Sequence, residues 1–314
     1  AMFRTLLNDP ACHTDTVTAL AWGRDGSLVT ASIDETLTIH DVAAPESDGA
    51  AADSGASSAI ALTPRHVVKD LDLGIVSLSA ARHANIVAGA TMDSVVKVWA
   101  LDSGEELLSV DPGALQAWCV DWHPSKPILA ATTHSGAVSL LDGETGEKRR
   151  AIDTRAGFAS CVAFSPDGGA VATASLEGKV SVMDVETGAL LHSAEPHRRP
   201  IRSLVWAPDG TRLLTGSDDA RVTVLDVGST GLSAVHSLAG HTAPVTAVAM
   251  RPDGLQAVSA SADTTARLWD LRAREPVHTF RSHEERIGAA DYSADGVRVA
   301  TGDDAGRVCV HAAN

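Results

Sequence analysis

The chain has 314 residues, 44 % of them hydrophobic, and a formal net charge of −15. This much apolar material can form a sizeable core and argues against global disorder. The negative charge repels phosphate backbones, so we expect no direct binding to nucleic acid. Apolar runs are short and interrupted by Asp, Gly and Pro, so we expect no membrane-spanning segment.

The four cysteines stand singly, at Cys12, Cys119, Cys161 and Cys309, and none forms a C-x-x-C pair. Three of them lie in or beside apolar, strand-like segments. We therefore expect buried free thiols in a reducing compartment. A zinc site is not expected, because ligand pairs at metal-binding spacing are missing.

An internal repeat runs along the whole chain. Segments of alternating hydrophobicity close on the dipeptides HD (residues 40–41), WA (99–100), LD (141–142), MD (183–184), LD (225–226), WD (269–270) and VH (310–311). From residue 100 onward they recur every 41 to 44 residues. Seven repeats of this length indicate a repeat architecture built from seven similar units.

The first repeat is longer than the others, and its excess lies in residues 43–59. This stretch, AAPESDGAAADSGASSA, is rich in small and acidic residues and shows no periodicity. We interpret it as a flexible acidic loop inserted in the first repeat. A linker between two domains is the competing interpretation, but the repeat resumes in phase after it.

The sixth repeat shows the predicted elements most clearly. Strands are expected at VTAVAM (residues 245–250), LQAVSAS (255–261), TARLWD (265–270) and PVHTF (276–280). The first two are joined by RPDG (residues 251–254), and SPDG, APDG and SADG recur at the matching place in other repeats. Pro and Gly supply the dihedral angles that such turns need.

Four strands in about 40–45 residues, repeated seven times, are typical of the blades of a WD-repeat β-propeller. We predict an all-β fold in which residues 1–314 form a single seven-bladed propeller. The seventh repeat ends without a fourth strand, whereas FRTLL (residues 3–7) precedes His13 as VHTFR precedes His283. The N-terminal strand should therefore complete the last blade and close the ring.

His241, Ser259 or Ser261, Asp263 and Trp269 could form one hydrogen-bonded network inside the sixth blade. Such a network would satisfy a buried carboxylate and indole N–H and fix the tight turn. A Ser-His-Asp hydrolase is the alternative, but a catalytic triad would occur once and complete. Here incomplete sets recur in other repeats: His13 with Asp34, Asp93 with Trp99, His197 with Asp219, and His283 with Asp304.

Binding specificity should lie on the loops and on one face of the ring. From the known geometry of WD-repeat propellers, ten residues are expected to point to the top face: Ile33, Ile75, Met92, Trp118, Phe158, Leu176, Arg202, Asp218, Arg286 and Asp303. The first six make the arc of repeats one to four apolar, as in a partner-docking patch. The alternative is that some of them pack into the central channel or under loops, and Trp22, Trp122 and Trp206 are expected in the core.

The acidic pairs Asp218–Asp219 and Asp303–Asp304 could meet an arginine of a partner. Calcium binding by these pairs is the less favoured alternative, because they lack EF-hand spacing. The sequence contains no P-loop, H-E-x-x-H or nucleophile elbow. We therefore expect no enzyme activity, no metal and no cofactor.

Several longer stretches are more particular than the blade pattern. AWCVDWHP (residues 117–124), LDGETGEKRRAIDTRAGF (141–158) and HRRPIRSL (197–204) are examples. On these the chain resembles the family of the WD-repeat subunit of the Ski (superkiller) complex, called WD repeat-containing protein 61 in animals. The resemblance covers nearly the whole chain except the inserted loop.

The resemblance implies a non-enzymatic scaffold, monomeric alone, in the cytoplasm and the nucleus. It would dock a tetratricopeptide-repeat partner and help to hold a helicase, in the assembly that feeds mRNA to the exosome for 3′-to-5′ decay. The polymerase-associated factor complex of transcription elongation is a second implied assembly. The family grips partner segments with a Gln-Arg pair and a nearby hydrophobic residue, so Trp118 would face the hydrophobic anchor and an acidic turn residue the arginine.

One position departs from the family, because Gly288 stands where an aromatic residue is frequent. This puts the contribution of the seventh blade to docking in doubt. A structural adaptor in another large assembly, such as a ciliary axoneme, is the alternative function. An enzyme or ligand-binding propeller is less favoured, because no convergent polar groups stand out in the sequence.

Overall fold

The computed structural model describes residues 3–9, 12–43, 60–69, 71, 73–110, 117–155, 157–273 and 275–312. Every regular element in these ranges is a β-strand, and the 28 strands form seven four-stranded antiparallel sheets. Within the described ranges no helix is long and apolar enough to span a membrane. The all-β, seven-bladed fold predicted from the repeat is confirmed.

The strands follow the chain around the ring. Blade 1 contains β2 (Val17–Trp22), β3 (Leu28–Ser32), β4 (Leu37–Ala43) and β5 (Ala61–Val68); blade 2 contains β6 (Ile75–Ala80), β7 (Ile86–Thr91), β8 (Val96–Ala100) and β9 (Glu106–Val110). Blade 3 contains β10 (Val120–Trp122), β11 (Ile128–Thr132), β12 (Ala137–Asp142) and β13 (Lys148–Asp153); blade 4 contains β14 (Ala159–Phe164), β15 (Ala170–Ser175), β16 (Val180–Asp184) and β17 (Leu190–Ala194). Blade 5 contains β18 (Ile201–Trp206), β19 (Arg212–Ser217), β20 (Arg221–Gly228) and β21 (Gly231–Ala239); blade 6 contains β22 (Val245–Met250), β23 (Gln256–Ser261), β24 (Ala266–Asp270) and β25 (Pro276–Phe280). Blade 7 contains β26 (Ile287–Tyr292), β27 (Arg298–Asp303), β28 (Val308–Ala312) and, from the other end of the chain, β1 (Arg4–Asp9).

The two ends of the chain share the last blade. β1 pairs antiparallel with β28, with Arg4 opposite Ala312 and Asp9 opposite Val308. Leu7 packs with the apolar cluster between blades 7 and 1, which includes Val310. The predicted closure of the ring by the N-terminal strand is therefore confirmed.

Seven apolar clusters lie within and between the blades and form the core. The first three strands of each blade bury β-branched and small residues on both faces, whereas the outer strands are largely exposed. Trp22, Trp122 and Trp206, at the ends of inner strands, are buried as expected. The recurring Pro-Asp-Gly turns end on a glycine with φ near 70°, as at Gly210 and Gly254, where the left-handed region favours glycine.

Hydrogen bonds join the inner strands of neighbouring blades around a central channel. Asp121 accepts bonds from the Ser79 hydroxyl and the Phe164 amide, both at 2.8 Å. Asp291 accepts one at 3.0 Å from the amide of Trp22 and so connects blade 7 to blade 1. The channel contains a cavity of about 640 Å³ whose wall includes both aspartates.

A β-bulge interrupts the pairing between the third and fourth strands of each blade described here. The bulged residues include Leu107, Leu191, Val235 and Val277, and all four are exposed at the rim. Bulges in outer strands weaken their capacity to pair with another chain. The rim is therefore less suited than the faces to bind a partner.

Two sequence predictions concern the first repeat and the thiols. Residues 44–59 of the predicted acidic loop (43–59) lie outside the described residues, but Ala43 is paired with Ala61, so blade 1 continues in register on both sides. The four cysteines are free; Cys161 and Cys309 are buried, and Cys12 and Cys119 are half-buried.

Candidate functional site

The top face of the ring is the face that carries the turns between the second and third strands of the blades. Each of these turns begins with one residue that lies on the top face. From blade 1 to blade 7 these residues are Ile33, Met92, His134, Leu176, Asp218, Ala262 and Asp304. The opposite face carries the Pro-Asp-Gly turns between the first and second strands. The top face is thus apolar or aromatic in blades 1 to 4 and carries carboxylates in blades 5 and 7.

An aromatic cluster lies on the top face where blades 3 and 4 meet. The rings of Trp118 and Phe158 pack edge to face with their centroids 5.9 Å apart. The His134 ring also packs edge to face with Phe158, with a distance of 4.9 Å between the centroids. Trp118 is 44 % exposed, although a tryptophan side chain is large and mainly hydrophobic. The backbone amide of Leu176 donates to the carbonyl of Phe158 at 3.3 Å, which holds exposed Leu176 beside the cluster.

A second apolar group occupies the top face of blades 1 and 2. Ile33 and Met92 are exposed as expected. Leu73, which sequence reasoning did not single out, is the most exposed large hydrophobic residue described, at 58 %. It lies in an irregular connection outside the repeat pattern, so no periodic signal identified it.

The expectation for Ile75 is wrong. Its side chain is 0 % exposed and packs in the cluster between blades 1 and 2 with Val87 and Trp99. Ile75 is the first apolar residue of the inner strand, and side chains alternate along a strand. The next residue, half-buried Val76, therefore has the position that Trp118 has in blade 3.

Two ion pairs occupy the top face of the remaining blades. Arg202 and Asp218 form a bidentate pair at 2.9 and 2.7 Å, and the Asp218 carboxylate raises the pKa of Arg202. Nη1 of Arg286 lies 3.5 Å from Oδ2 of Asp304. The two predicted arginines, Arg202 and Arg286, are thus already neutralised by neighbours on the same blade.

The expectation that Asp303 faces a partner is also wrong. Asp303 is 1 % exposed and its carboxylate lies 2.7 Å from Nδ1 of His283. It stands at the end of β27, where blade 5 has Ser217, and the usual turn aspartate is replaced by Ala305. In blade 7 the acidic residue that binds the histidine therefore stands two positions earlier than in the other blades. Asp303 binds the histidine that was predicted to bind Asp304, and Asp304 is half-buried on the top face beside Arg286.

The four-residue network of blade 6 has the bonding order expected from the sequence. Asp263 lies 2.8 Å from Nδ1 of His241, whose Nε2 lies 2.7 Å from the Ser259 hydroxyl; the Trp269 indole donates to that hydroxyl at 2.8 Å. Ser259, and not Ser261, is the hydroxyl partner. These side chains are packed inside the blade, away from any accessible substrate.

Electrostatics in this network fit a structural role. Burial alone would raise the pKa of Asp263, but hydrogen bonds from Thr265, the Thr242 amide and His241 outweigh it and lower the pKa to about 2. Burial lowers the pKa of His241 despite the adjacent carboxylate. The pair therefore holds an ionised aspartate against a histidine whose burial disfavours the charged form.

The network varies from blade to blade. His13 with Asp34 and His197 with Asp219 form the pairs expected from the sequence. Asp93 does not bond Trp99: it accepts from Thr91, and the Trp99 indole nitrogen has no partner within the described residues. Blades 1 and 7 have His40 and His311 in place of the tryptophan, each bonded to a threonine at 3.0 Å.

The described residues contain no group of three or more His, Cys, Asp or Glu side chains placed to hold a metal ion.

The model of the WD domain, G-beta repeat family matches residues 4–41, 152–184, 188–226, 232–270 and 274–311. These segments cover more than half of the chain and leave residues 42–151, with most of blades 2 and 3, unmatched. With seven four-stranded blades and a matching family model, the chain belongs to the WD domain, G-beta repeat family.

Proposed function

We propose that the protein is a non-enzymatic scaffold subunit of the Ski complex, which supports 3′-to-5′ mRNA decay by the exosome in the cytoplasm. A further role in the polymerase-associated factor complex would place it in the nucleus as well. WD-repeat propellers generally mediate contacts between proteins, and the finer assignment rests on the family resemblance of the sequence. The observation that carries the proposal is the aromatic cluster of exposed Trp118 and half-buried Phe158 on the top face.

An exposed tryptophan supported by a second ring is a typical anchor of a binding interface. Tryptophan contributes a large contact area and is enriched among residues that dominate binding energy. Trp118 is fixed by its edge-to-face contact, so little side-chain entropy is lost when a partner covers it. Leu176 extends the apolar surface next to it.

The partner in this proposal is the tetratricopeptide-repeat scaffold of the complex, with the helicase held nearby. The hydrophobic anchor residue of the tetratricopeptide-repeat scaffold would cover Trp118, and the arginine of the same segment would meet an acidic turn residue. Asp218 and Asp304 are already paired with Arg202 and Arg286, so the incoming arginine must exchange with one of these. At Gly288 a Cβ atom would lie 2.8 Å from the Val17 carbonyl oxygen, so the backbones approach too closely for an aromatic residue without rearrangement.

The experiment compares Trp118→Ala with Leu107→Ala. Leu107 is a rim residue that is 55 % exposed and therefore a matched apolar truncation away from the top face. We expect Trp118→Ala to weaken binding of the purified tetratricopeptide-repeat subunit about 30-fold or more, as a hot-spot loss of about 2 kcal/mol implies. Both variants should melt as the unchanged protein does.

Affinity purification from cells then tests the identity of the complex. Recovery of the helicase and the tetratricopeptide-repeat subunit with the unchanged protein, and their loss with Trp118→Ala, is the expected result. Recovery of axonemal proteins in their place would contradict the assignment to the Ski complex. Equal binding by the two variants would contradict the assignment of the top face.

A further inference from the structure

The backbone of Leu73 is strained. Its φ is 65°, in the left-handed region that a large side chain rarely adopts, and Gly74 follows with φ 56°. Of the five other non-glycine residues with positive φ in the described ranges, Glu35, Ser94, Ala220 and Thr264 occupy the repeated turn where the blade geometry requires it, and Arg155 lies in the connection between β13 and β14. Leu73 lies outside that series, so the fold of the blade does not explain its conformation.

Gly74, the residue after Leu73, lies close to the turns that carry two other exposed apolar residues. The Gly74 carbonyl accepts the Met92 amide at 3.0 Å, and a Cβ atom at Gly74 would lie 2.9 Å from Cα of Ile33. The loop is thus pinned between the turns of blades 1 and 2, beside Ile33 and Met92. Leu73, Ile33 and Met92 are all exposed on the top face.

Two carboxylates without an ion pair in the described part of the chain lie in the turns that carry Ile33 and Met92. Glu35 and Asp93 are exposed in the same two turns, and neither carboxylate has an ion pair within the described residues. By contrast, Asp218 and Asp304 on the other side of the face are both paired with arginines. An apolar surface bordered by free carboxylates is complementary to an apolar side chain flanked by basic residues.

We infer that Leu73, Ile33 and Met92 form a second anchor site, separate from the Trp118 cluster, that binds a partner segment carrying an aliphatic side chain between arginines or lysines. The inference rests on the proposed function, because it deepens the same docking face. Strained residues are retained mainly at functional sites. Glycine or asparagine would adopt this φ with less strain, so the presence of an exposed leucine here indicates a role in binding.

The test uses the substitution Leu73→Asn in the full chain. Asparagine tolerates positive φ, so the variant relieves strain while it removes the apolar anchor. A structural role for Leu73 would lower Tm on substitution; the inference requires Tm to rise, by about 2 °C. The control is Leu107→Asn, which makes the same chemical change at the exposed rim.

Binding is measured by fluorescence anisotropy with two labelled synthetic peptides that share one central leucine. One peptide carries arginines on both sides of the leucine, and the other carries glutamates. We expect the arginine peptide to bind more tightly than the glutamate peptide, Leu73→Asn to weaken it about tenfold, and Leu107→Asn to leave it unchanged. No preference for arginine, unchanged affinity of Leu73→Asn, or a lower Tm of that variant would each overturn the inference.

The two proposals can fail separately. If Trp118→Ala loses the tetratricopeptide-repeat subunit while Leu73→Asn binds the arginine peptide normally, the docking face stands and the second anchor site is wrong. If Leu73→Asn loses the peptide while Trp118→Ala retains the subunit, the second anchor stands and the assignment of Trp118 as the docking site of the subunit is wrong.

Discussion

The hydroxyl of Ser259 lies 2.8 Å from the indole nitrogen of Trp269, and both side chains are completely buried. The same hydroxyl also bonds His241 at 2.7 Å. One small side chain therefore satisfies two buried polar groups of blade 6.

Ser259→Ala should destabilise the protein by about 2–3 kcal/mol, because two buried groups lose their partner. Thermal unfolding should show a fall in Tm of about 3–5 °C. Ser181→Ala is the matched control: Ser181 is also buried on a strand, but its hydroxyl has no hydrogen-bond partner within the described residues. Equal losses in the two variants would contradict the role assigned to Ser259.

Removing residues 1–8 should open the ring. The deletion exposes the edge of β28 and removes the apolar contacts of half-buried Leu7 and Phe3, a loss of ~2 kcal/mol or more from burial alone. We expect a large fall in Tm and association of the exposed edges in gel filtration.

The control for this deletion replaces residues 44–59 with a short turn between Ala43 and Ala61, which are opposite each other in blade 1. This replacement should leave Tm nearly unchanged. A similar loss in both proteins would show that the N-terminal strand has no special role in closure.

Acid should weaken the first and last blades. Burial lowers the pKa of His40 to about 4, with a further lowering by His13, and burial also lowers the pKa of His311, to about 3. An unfolded histidine titrates near pH 6.5, so below that pH the unfolded chain binds protons that the native protein does not. Each group therefore costs up to ~3 kcal/mol of stability as the pH falls from 6.5 to 4.

His40→Trp tests this, because it restores the residue that blade 6 has at this place. A cavity of about 300 Å³ beside His40 offers room for the indole, and Thr30 offers the hydroxyl that Ser259 offers Trp269. The Tm of the variant should exceed that of the unchanged protein increasingly as the pH falls from 7 to 5. Parallel pH profiles would contradict the buried neutral state of His40.

The titration of the channel aspartates Asp121 and Asp291 should have the opposite effect on stability: it lowers stability as the pH rises. Burial raises the pKa of Asp121 and of Asp291 to about 6, despite the hydrogen bonds that each accepts. Between pH 4 and 6 the native state retains protons that the unfolded chain has released, so this contribution to stability is lost as the pH rises through 6. Each of the two aspartates therefore lowers the free energy of unfolding by up to ~3 kcal/mol between pH 4 and pH 6.

Asp121→Asn removes the titration and keeps a group that can bond both the Phe164 amide and Ser79. Its stability relative to the unchanged protein should rise between pH 4 and 7, measured by urea unfolding at fixed pH. Asp226→Asn, at an exposed strand position, serves as the control for the loss of one carboxylate charge. A flat difference for Asp121→Asn would show that this aspartate titrates normally.

Most of the fold could be predicted because its signals are local and repeated. The Pro-Asp-Gly turns and the period-two pattern recur in successive repeats, so errors in one blade are corrected by the others. The closure of the ring followed from a missing fourth strand after Val310 and an extra one before His13. The His241, Asp263 and Trp269 positions were identifiable because the blade fixes their spacing.

The individual top-face residues were harder to predict, because a shift of one residue reverses the direction of a side chain. Ile75 was placed one position too early along its strand, and half-buried Val76 has the position that Trp118 has in blade 3. Asp303 was misplaced because blade 7 has moved its acidic group along the turn, which only the bond to His283 reveals. Leu73 could not be found at all, since its exposure depends on a non-repeating loop conformation.

The most direct test of the whole account is a hydrogen-exchange footprint of the protein with its tetratricopeptide-repeat partner bound. Protection is expected at Trp118, Phe158 and Leu176, with unchanged exchange in the turns of the opposite face at residues 165–168 and 251–254. Protection confined to those opposite turns or to the outer strands would contradict recognition through the apolar arc of blades 1 to 4.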